Sequence, residues 1–586
     1  MSQVLVFSPY AARFHLTAYE GTIAKACQTR GVPVRYLLCD GLLPECDMHW
    51  VSFRRHTPRP LDTCTKCRTK RVQNLDGEGN LFAGIPRSWL GDYIAEEERA
   101  ELLRWAQSLP LEQIAGAVFR GYPVGAWVQS TMNSYFRSYP PDMTDWLVIN
   151  TYRGFVLSAA IVITALSRYL EKNSVRSALL FNARQSITRV AFEILRERNI
   201  PVLVHETPFF KNGHILLKPN AKCWAIEPFN QYWENWRAVS LKTPQLLQTL
   251  EWFKNRRYGD GLSWYAFNAP HIPKHTIREQ LGLDSRKKLM ALFTSSSDEN
   301  AGEDDFQGPY EMQEDWVQGV VDWVRPRDDV ELVIRVHPHL SGSKRLGEAP
   351  KETALYERMR DALPSNVRMV MPDEPVNSYG LMDEADIGLS FGSTPGLEMA
   401  MLGKPVVLAS RSFYEKAANL LTVQAQRDLE ATLERSMKIQ SHREIRREAF
   451  RMAYNYVFKF EPPFPLVRAH GVIDVSLGYD SVEELAPGRD PTLDRICGYL
   501  IEQSSVYESP SSEDIARTSI EEDEFFDWLE AQHEPFRDRE VERRFIRRQR
   551  RNPVREKLGG AISVWMRDTL RPFGARIYRK IFRPVR

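Results

Sequence analysis

The stretch SALLFNARQSITRVAFEILRERNIPVLVHE, residues 177–206, decides the fold class of this chain. It contains an apolar run, a short polar turn, an amphipathic segment and a second apolar run, which predicts strand, turn, helix and strand within 30 residues. A βαβ unit of this kind belongs to a parallel sheet. Asn182 and Arg184 in the turn, and His205 and Glu206 at the end of the second strand, should therefore lie at the carboxyl edge, where open α/β sheets bind ligands. We expect Asn182 and Arg184 to face the acceptor cleft.

A second series of strands and helices ends in FGSTPGLEMAMLGKPVV, residues 391–407. The pattern predicts a buried strand, a tight turn, a helix with Thr394 as its N-cap and Pro395 in its first turn, and another strand. Such a turn presents free backbone N–H groups beside the hydroxyls of Ser393 and Thr394, so we expect it to bind a phosphate. Glu398, about 6 Å along the helix at ~1.5 Å per residue, would accept hydrogen bonds from a ribose. The alternative is an ordinary capped helix with a solvated glutamate.

Polar residues follow four predicted strands of this second series, and in a doubly wound sheet such loops converge at one edge. His337 follows a β-branched strand and precedes a proline that keeps it extended, so its imidazole should point toward the phosphate-binding turn. With an unperturbed pKa of ~6.5 it could protonate a departing phosphate, whereas the alternative is a surface or capping histidine. The candidate nucleotide-binding residues of these loops are Ser295, Ser296, Glu299, Arg335, Pro372, Gly392, Ser393, Thr394 and Glu398.

Three stretches together resemble the bacterial capsular polysaccharide synthesis family: RVHPHL at 335–340, NSYGLMDEADIGLSFGSTPGLEMAMLGKPVVL at 377–408, and LLFNARQSITRVAFEILRERNIPVLVHE at 179–206. The resemblance covers roughly residues 170–415 and is densest from 285 to 415. This family consists of two-domain GT-B glycosyltransferases and includes Kdo transferases that use a CMP-activated sugar. The resemblance therefore implies an α/β chain whose two Rossmann-type parallel-sheet domains face a cleft.

The His-Pro pair with a downstream Ser/Thr turn is also similar to the pattern in bacterial sialyltransferases and in CDP-glycerol polymerising enzymes. These families share a cytidine nucleotide, and their histidine and Ser/Thr residues meet the donor phosphate. The resemblance thus implies that His337, Ser393 and Thr394 bind that phosphate, and it adds a preference for cytidine. One departure follows the strand that ends at Glu206, where this chain has Glu-Thr-Pro-Phe and family members often carry Arg-Gly. Recognition of the acceptor or of the donor sugar on that side is therefore expected to differ.

Glycosyl transfer requires a carboxylate as general base or nucleophile, together with stabilisation of the departing nucleotide phosphate. Glu206 and Asp298 both lie at predicted strand ends. Because a carboxylate across the cleft suits the geometry better, we expect Glu206 to be the catalytic group, while Asp298 with Glu299 could equally cap a helix. We expect His337, the turn amides and Arg335 to stabilise the departing phosphate. Because these groups can replace the charge of a metal ion, no metal ion or other cofactor is expected for catalysis.

Four of the seven cysteines fall within 29 residues, the last two as a Cys-x-x-Cys pair, with His49 and His56 between them. Four thiolates that include one such pair are compatible with a structural zinc ion. The alternative is that the first of them simply ends a buried strand. A catalytic redox pair is not expected, because no thioredoxin-like pattern surrounds the motif. The four candidate zinc ligands are Cys39, Cys46, Cys64 and Cys67, and the other cysteines are expected in the core.

The chain has 586 residues, 43% of them hydrophobic, which is too long for one core and enough for two domains with extensions. A run of 14 uncharged residues between Arg153 and Arg168 is shorter than the ~20 that span a bilayer, so it predicts a buried helix. The predicted regions are an N-terminal Rossmann-like acceptor domain 1–258 with a cysteine-containing insertion 39–70, a C-terminal Rossmann-like donor domain 274–460, a closing helical and loop segment 461–503, a polar linker 504–523 and a basic amphipathic helical tail 524–586.

The end of the chain is strongly basic. Residues 536–586 contain 17 Lys and Arg against five Asp and Glu, whereas the whole chain carries only +2. Arginines interleaved with aromatic residues suit an anionic bilayer surface, where each cation contributes ~1 kcal/mol. The alternative is a solvated helical extension, and binding to nucleic acid is not expected. Because the N-terminus lacks a signal-peptide pattern, we expect a cytoplasmic protein on the inner face of the cytoplasmic membrane, with mostly reduced cysteines.

These observations favour a metal-independent glycosyltransferase of bacterial surface polysaccharide biosynthesis. The expected donor is a nucleotide-activated sugar, CMP-linked and Kdo-like, and the expected acceptor is a glycan or a lipid-linked molecule. A CDP-alcohol phosphotransferase of the glycerol type would use the same His337 and Ser-Thr turn, but it would release CMP from a CDP donor. A third hypothesis is a non-catalytic scaffold of a polysaccharide assembly complex, in which replacing His337 would have no effect on activity.

Overall fold

The fold contains two six-stranded sheets and one two-stranded sheet in the part of the chain that the structure describes. Each large sheet is built from one of the two strand series predicted from the sequence, so the α/β class with two Rossmann-like domains is confirmed. The computed structural model describes residues 2–48, 62–77, 80–208, 213–257, 276–297, 304–342, 349–417, 420–439, 442–470, 474–532 and 536.

The first sheet has the strand order β3-β2-β1-β4-β5-β6 and is parallel except for β6, which pairs antiparallel with β5. Its central strands are buried along most of their length, because helices cover both faces of a parallel sheet. The chain turns from one side of the sheet to the other between β1 and β4, so the loops after these two strands border a crevice. The strands are β1 (Gln3–Phe7), β2 (Val34–Leu38), β3 (Arg87–Trp89), β4 (Val175–Phe181), β5 (Val202–Glu206) and β6 (Leu216–Pro219).

The predicted buried helix is confirmed, with wider bounds, as helix Trp146–Lys172. By length and composition this helix could cross a membrane, but 83% of its most apolar window is buried inside the protein. It packs against three neighbouring helices of the first domain and so forms the centre of that domain's core. The helices of the first domain are Phe14–Thr29, Thr63–Asp76, Glu96–Ser108, Val124–Phe136, Trp146–Lys172 and Ser186–Glu197.

The second sheet is entirely parallel, with the order β12-β11-β10-β7-β8-β9. Its direction reverses between β7 and β10, so the loops after these strands border the second crevice. The strands are β7 (Lys288–Phe293), β8 (Val330–Arg335), β9 (Val367–Val370), β10 (Ile387–Ser390), β11 (Val406–Leu408) and β12 (Leu420–Thr422). The helices around it are Ile277–Leu281, Gln313–Val324, Pro350–Arg360, Ser378–Glu384, Pro395–Met401 and Leu429–Ser436.

The closing segment 461–503 returns to the first domain. Its helix Pro491–Glu502 packs against helix Phe14–Thr29, and the Tyr499 hydroxyl donates to the Val202 carbonyl at 3.2 Å. The returning chain therefore ties the end of the second domain to the first sheet. The remaining elements are helices Glu227–Trp236, Thr243–Arg257 and His442–Tyr454, a π-helix Asn455–Phe460, strands β13 (Val467–Ala469) and β14 (Val475–Leu477), and short 3-10 turns at Leu90–Tyr93, Leu111–Gln113, Asp304–Phe306, Pro338–Ser341, Gln426–Asp428 and Val482–Leu485.

The predicted polar linker, residues 504–523, is exposed over much of its length but is anchored to the protein at its end. It forms helix Ser512–Ala516 and starts helix Ile520–Glu530, and its Glu522 is fully buried. Glu522 binds the Arg451 guanidinium at 2.5 Å and accepts from the Leu241 amide at 2.7 Å. The polar composition suggested a solvated segment, and many of its side chains are exposed, but Glu522 and Asp523 pair with arginines of helix His442–Tyr454. Residues 537–586 of the predicted tail lie outside the described residues.

Replacing Glu522 by glutamine should destabilise the protein. The variant leaves Arg451 buried without its counter-charge, a change that typically costs about 3–5 kcal/mol. Asp527→Asn is the matched control, because it removes an ion pair of the same helix to Arg443 from an exposed position, worth less than ~1 kcal/mol. Thermal melting should show a clear decrease for the first variant and little for the second, and equal melting temperatures would contradict the buried clamp.

Candidate functional site

The loops after β7, β8 and β10 are joined by hydrogen bonds at the carboxyl edge of the second sheet. The Ser295 hydroxyl donates to the Phe391 carbonyl at 3.1 Å, which links the loops on the two sides of the crevice. The His337 amide donates to the Thr294 hydroxyl at 2.9 Å, which links the next pair of loops. The polar residues that the sequence placed on separate loops therefore lie side by side.

Arg335 extends this edge to the loop that contains Pro372. Its guanidinium donates to the Met371 carbonyl, and the side chain is buried. Burial lowers the pKa of Arg335 to about 10, against the opposing effect of the nearby Glu374 and Asp373 carboxylates. The arginine remains a cation at neutral pH and so supplies positive charge at this edge.

His337 is half-buried at the end of β8, and its Nδ1 accepts from the His339 amide at 3.2 Å. Its pKa is lowered to about 4, first by burial and then by the positive charges of Arg137 and Arg335. The imidazole is therefore neutral at pH 7 in this state. The negative charge of a phosphate beside His337 would offset the charge of the arginines and raise the pKa of the imidazole. A higher pKa allows the imidazole to be protonated, and only a protonated imidazole can give a proton to a departing phosphate.

Arg137 is a candidate site residue that the sequence did not reveal. It follows helix Val124–Phe136 of the first domain and adopts a left-handed conformation, with φ of 52°. Its guanidinium reaches the second domain, where it donates to the His339 carbonyl at 3.0 Å and to His339 Nδ1 at 3.2 Å. No motif surrounds it in the sequence, so only the tertiary structure brings this charge next to His337.

The Gly-Ser-Thr turn has the expected tight geometry. Gly392 has φ of +81°, and a Cβ at this position would lie 2.7 Å from the Arg411 carbonyl oxygen, so glycine is required here. The Ser393 carbonyl accepts from the Tyr414 hydroxyl. Thr394 occupies the predicted N-cap position of helix Pro395–Met401, but its backbone is helical and its side chain does not cap the helix.

Arg256 of helix Thr243–Arg257 occupies the side of this turn. Its Nε binds Glu398 at 2.5 Å and its Nη2 donates to the Thr394 hydroxyl at 3.0 Å. Glu398 is only 3% exposed, so it is not the solvated glutamate of the alternative interpretation. A buried carboxylate requires a counter-charge, and Arg256 provides it. Whether Glu398 also binds a ribose stays a prediction.

A cavity of about 510 Å³ lies beside the loop after β7, and the first domain contributes Tyr139 to its wall. Its lining combines aromatic rings with amide and hydroxyl groups, which suits a planar polar ring such as a nucleobase. Ser295 is part of the lining, Ser296 is buried outside it, and Asp298 and Glu299 lie outside the described residues. The lining residues are Tyr139, Ser295, Ser297, Phe306, Gln307, Gly308, Pro309, Tyr310, Glu311, Met312, Gln313, Phe391 and Gln426.

In the first domain, Asn182 and Glu206 form a pair at the carboxyl edge. Asn182 and Ala183 have positive φ angles of 65° and 58°, an uncommon backbone conformation that is often found at functional sites. Asn182 Oδ1 accepts from the Arg184 amide at 2.9 Å, while its Nδ2 donates to Glu206. Burial raises the pKa of Glu206, although hydrogen bonds from Asn182 and from the Thr207 amide act in the opposite direction. A carboxyl group with a raised pKa suits acid–base chemistry.

Other buried polar groups at this edge were missed by the sequence. Asp47 accepts from the hydroxyls of Tyr10, Thr131 and Ser186. His15, at the start of helix Phe14–Thr29, has its pKa lowered to about 3, first by burial and then by Arg13 and His205. They could have been found by looking for polar residues that follow buried strands, as was done for the second domain, because polar residues also follow β1 and β2.

The four cysteines predicted as zinc ligands do not assemble in the described residues. No three His, Cys, Asp or Glu side chains come together there as a metal-binding group. Cys46 is buried, and Cys64 and Cys67 lie on helix Thr63–Asp76. Cys39 directly follows the last residue of β2. His49 and His56 lie outside the described residues, so the described residues alone do not form the predicted site.

Comparison with known proteins found no matching family model and no matching curated protein. Similar solved structures include the beta Kdo 2,4 transferase KpsC of Thermosulfurimonas dismutans, with 16% identity and a TM-score of 0.33, over 53% of this chain and 87% of that one. Spinosyn rhamnosyltransferase SpnG has 14% identity and a TM-score of 0.26, over 79% and 98%. The UDP-GlcNAc 2-epimerase of Methanocaldococcus jannaschii has 9% identity and a TM-score of 0.26, over 75% and 94%. None of these likenesses assigns the chain to a family.

Replacing His337 by glutamine should change how stability depends on pH. Between about pH 4 and pH 6.5 the unfolded histidine is protonated while the folded one is not, so wild-type stability rises with pH across this window. At ~1.4 kcal/mol per pKa unit the effect is roughly 3 kcal/mol. Melting temperatures measured from pH 4 to 7 should therefore rise less steeply in the variant, and an identical slope would contradict the buried neutral histidine.

Replacing Gly392 by alanine should be more harmful than the same change at Gly488. Both glycines are left-handed, with φ of +81° and +82°, but only Gly392 has backbone within contact of a new Cβ. Gly488→Ala should cost about 1–2 kcal/mol from backbone strain. Gly392→Ala should cost a further ~1–3 kcal/mol from the clash. Thermal melting of the two variants tests this, and equal losses would show that the turn can relax.

Proposed function

We propose that this protein is a glycosyltransferase that uses a nucleotide-activated sugar. The observation that carries the proposal is the edge of the second sheet, where His337, Arg335 and the Ser-Thr turn belong to loops joined by hydrogen bonds, next to a cavity that both domains line. The two Rossmann-like domains agree with the GT-B arrangement that the sequence resemblance implies.

Each group has a defined role in this reaction. The bond between the anomeric carbon and the donor phosphate oxygen breaks while the acceptor oxygen bonds to that carbon. His337 and Arg335 stabilise the departing phosphate, together with the amides of the Ser-Thr turn. Glu206 accepts the proton of the acceptor hydroxyl, held in position by Asn182 and the Thr207 amide. Arginine supplies the positive charge at the phosphate, so the scheme requires no metal ion.

The finer assignments extend the same proposal. The donor is a cytidine nucleotide sugar, CMP-linked and Kdo-like, as the resemblance implies, and the acceptor is a glycan or a lipid-linked molecule of bacterial surface polysaccharide biosynthesis. The basic residues 537–586 attach the enzyme to the inner face of the cytoplasmic membrane. This segment follows Phe536, which packs against Phe253 of helix Thr243–Arg257 at a ring distance of 5.4 Å. The membrane contact would therefore begin near the helix that carries Arg256.

A thermal-shift panel with CMP, CDP, UDP, GDP and ADP tests the donor site. A ligand at 100 times its dissociation constant stabilises the folded state by ~2.7 kcal/mol. We expect CMP or CDP to raise the melting temperature of the wild type and to have little effect on His337→Ala and Ser393→Ala. His470→Ala and Ser476→Ala are matched controls, because their side chains hydrogen-bond to one another at 2.8 Å at the β13–β14 pair, which is separate from the second sheet.

The outcomes separate the alternatives. Stabilisation by UDP or GDP would keep a glycosyltransferase and discard the cytidine donor. Stabilisation by CDP, followed by release of CMP from a CDP-alcohol, would replace the proposal with a phosphotransferase. No stabilisation by any of the five nucleotides would contradict both enzymes and favour the scaffold.

A further inference from the structure

Arg184 is a buried cation without an ionic partner. It is 6% exposed and lies in the turn after β4, at the crevice of the first sheet. Its guanidinium donates to the hydroxyl of Ser130 at 2.6 Å and to that of Ser134 at 3.4 Å, and it stacks on the Trp224 ring at 4.0 Å. Among the residues that the structure describes, no carboxylate forms an ion pair with it, and its Nε is buried without an acceptor. A buried charge in this state is costly unless something else compensates it.

Two other arginines with little solvent exposure have such partners. Arg256 binds Glu398 at 2.5 Å, and Arg451 binds Glu522 at the same distance. Arg184 instead contacts the hydroxyls of two serines, just as the buried Arg335 contacts the Met371 carbonyl. Hydroxyls and a guanidinium that share one face are also what a bound oxyanion requires, since both kinds of group can donate hydrogen bonds to it.

Glu206 does not form a direct ion pair with Arg184. The charge of Arg184 acts on Glu206 and lowers the pKa of its carboxyl group, but the Glu206 oxygens accept from Asn182 and from the Thr207 amide. Within the described residues the direct contacts of the Arg184 guanidinium are therefore to neutral groups, and an anion from solution could supply the counter-charge.

The position of Arg184 connects it to the proposed reaction. Its backbone amide donates to Asn182, which in turn holds Glu206, and its positive charge acts on the Glu206 carboxyl group, so the cation lies near the candidate general base. On its other side, the Trp224 ring contacts Phe306 at 5.6 Å, and Phe306 lines the cavity between the domains. A molecule held by Arg184 would therefore lie between Glu206 and the donor cavity, which is where an acceptor must be.

We propose that Arg184, with Ser130 and Ser134, binds a carboxylate or phosphate group of the acceptor. The guanidinium fork matches the planar or tetrahedral oxygens of these groups, and the anion would supply the missing counter-charge. The identification of the bound molecule as the acceptor rests on the proposed function. The anion site itself does not, because it is formed by residues of the first domain. It predicts that neutral sugars are poor acceptors.

The test uses four small probes on the full-length protein: glucuronate for a sugar carboxylate, glycerol 3-phosphate for a phosphate, and glucose and glycerol as their neutral counterparts. Binding is measured by calorimetric titration with and without CMP, which occupies the phosphate-binding edge of the second sheet. The wild type should bind at least one anionic probe at least tenfold more tightly than its neutral counterpart. Arg184→Gln should lose that preference, and Arg184→Lys should retain part of it.

Arg189→Gln is the matched control, because Arg189 lies on helix Ser186–Glu197, directly after the turn that carries Arg184, and pairs with Glu193 at 2.7 Å. It should keep the anion preference. Melting temperatures give a second readout: Arg184→Gln should match or exceed the wild type, because an uncompensated charge is removed, whereas a purely structural arginine would lower it. Ser134→Ala, which should weaken anion binding, provides a further variant if Arg184→Gln does not fold.

Equal binding of anionic and neutral probes, absence of binding by both anions, or an unchanged preference in a folded Arg184→Gln or Ser134→Ala would each overturn the inference. Which of the two anions binds separates an acidic sugar from a phosphorylated acceptor. CMP binding without anion binding would leave the proposed function intact and remove only this site. Anion binding without any nucleotide binding would remove the glycosyltransferase and keep the site.

Discussion

Parallel strands place all their carboxyl ends along one edge, and the candidate chemistry of this protein depends on that constraint. In each sheet the chain reverses direction at one point, between β1 and β4 and between β7 and β10. The loops that border these two points carry Arg184 in the first domain and Ser295 and Ser393 in the second. Because hydrogen bonds join neighbouring loops, residues that are far apart in sequence form one continuous polar surface.

The pairing of buried charged side chains is a second constraint on the structure. The buried carboxylates Glu398 and Glu522 are neutralised by arginines from distant helices. Arg335 and Arg184 bind carbonyl and hydroxyl oxygens instead, so they supply positive charge at the edges of the two sheets. Burial, together with the charges of Arg137 and Arg335, keeps His337 neutral, and the positive charge would favour the anions that a glycosyl donor carries.

Much of the fold and part of the site could be predicted. The βαβ pattern of residues 177–206 gave the parallel sheet, and the apolar run after Arg153 gave the buried central helix. The positions of His337 and of the Gly392 turn follow from local rules about strands, prolines and glycines, and the structure has them at one edge. Local rules failed where partners are remote: Thr394 receives its hydrogen bond from Arg256, 138 residues away, and Glu522 and Asp523 pair with arginines of another helix.

The sequence by itself determined the class of fold and the strand-end position of the polar residues, because these depend on neighbours within a few residues. Only the tertiary structure decided which charges meet. In the tertiary structure Arg137 of the first domain contacts a histidine of the second. Arg256 forms an ion pair with Glu398, whereas Arg184 is hydrogen-bonded to serine hydroxyls. Burial and long-range pairing set the electrostatics of a site, and neither is encoded in the local pattern of residues.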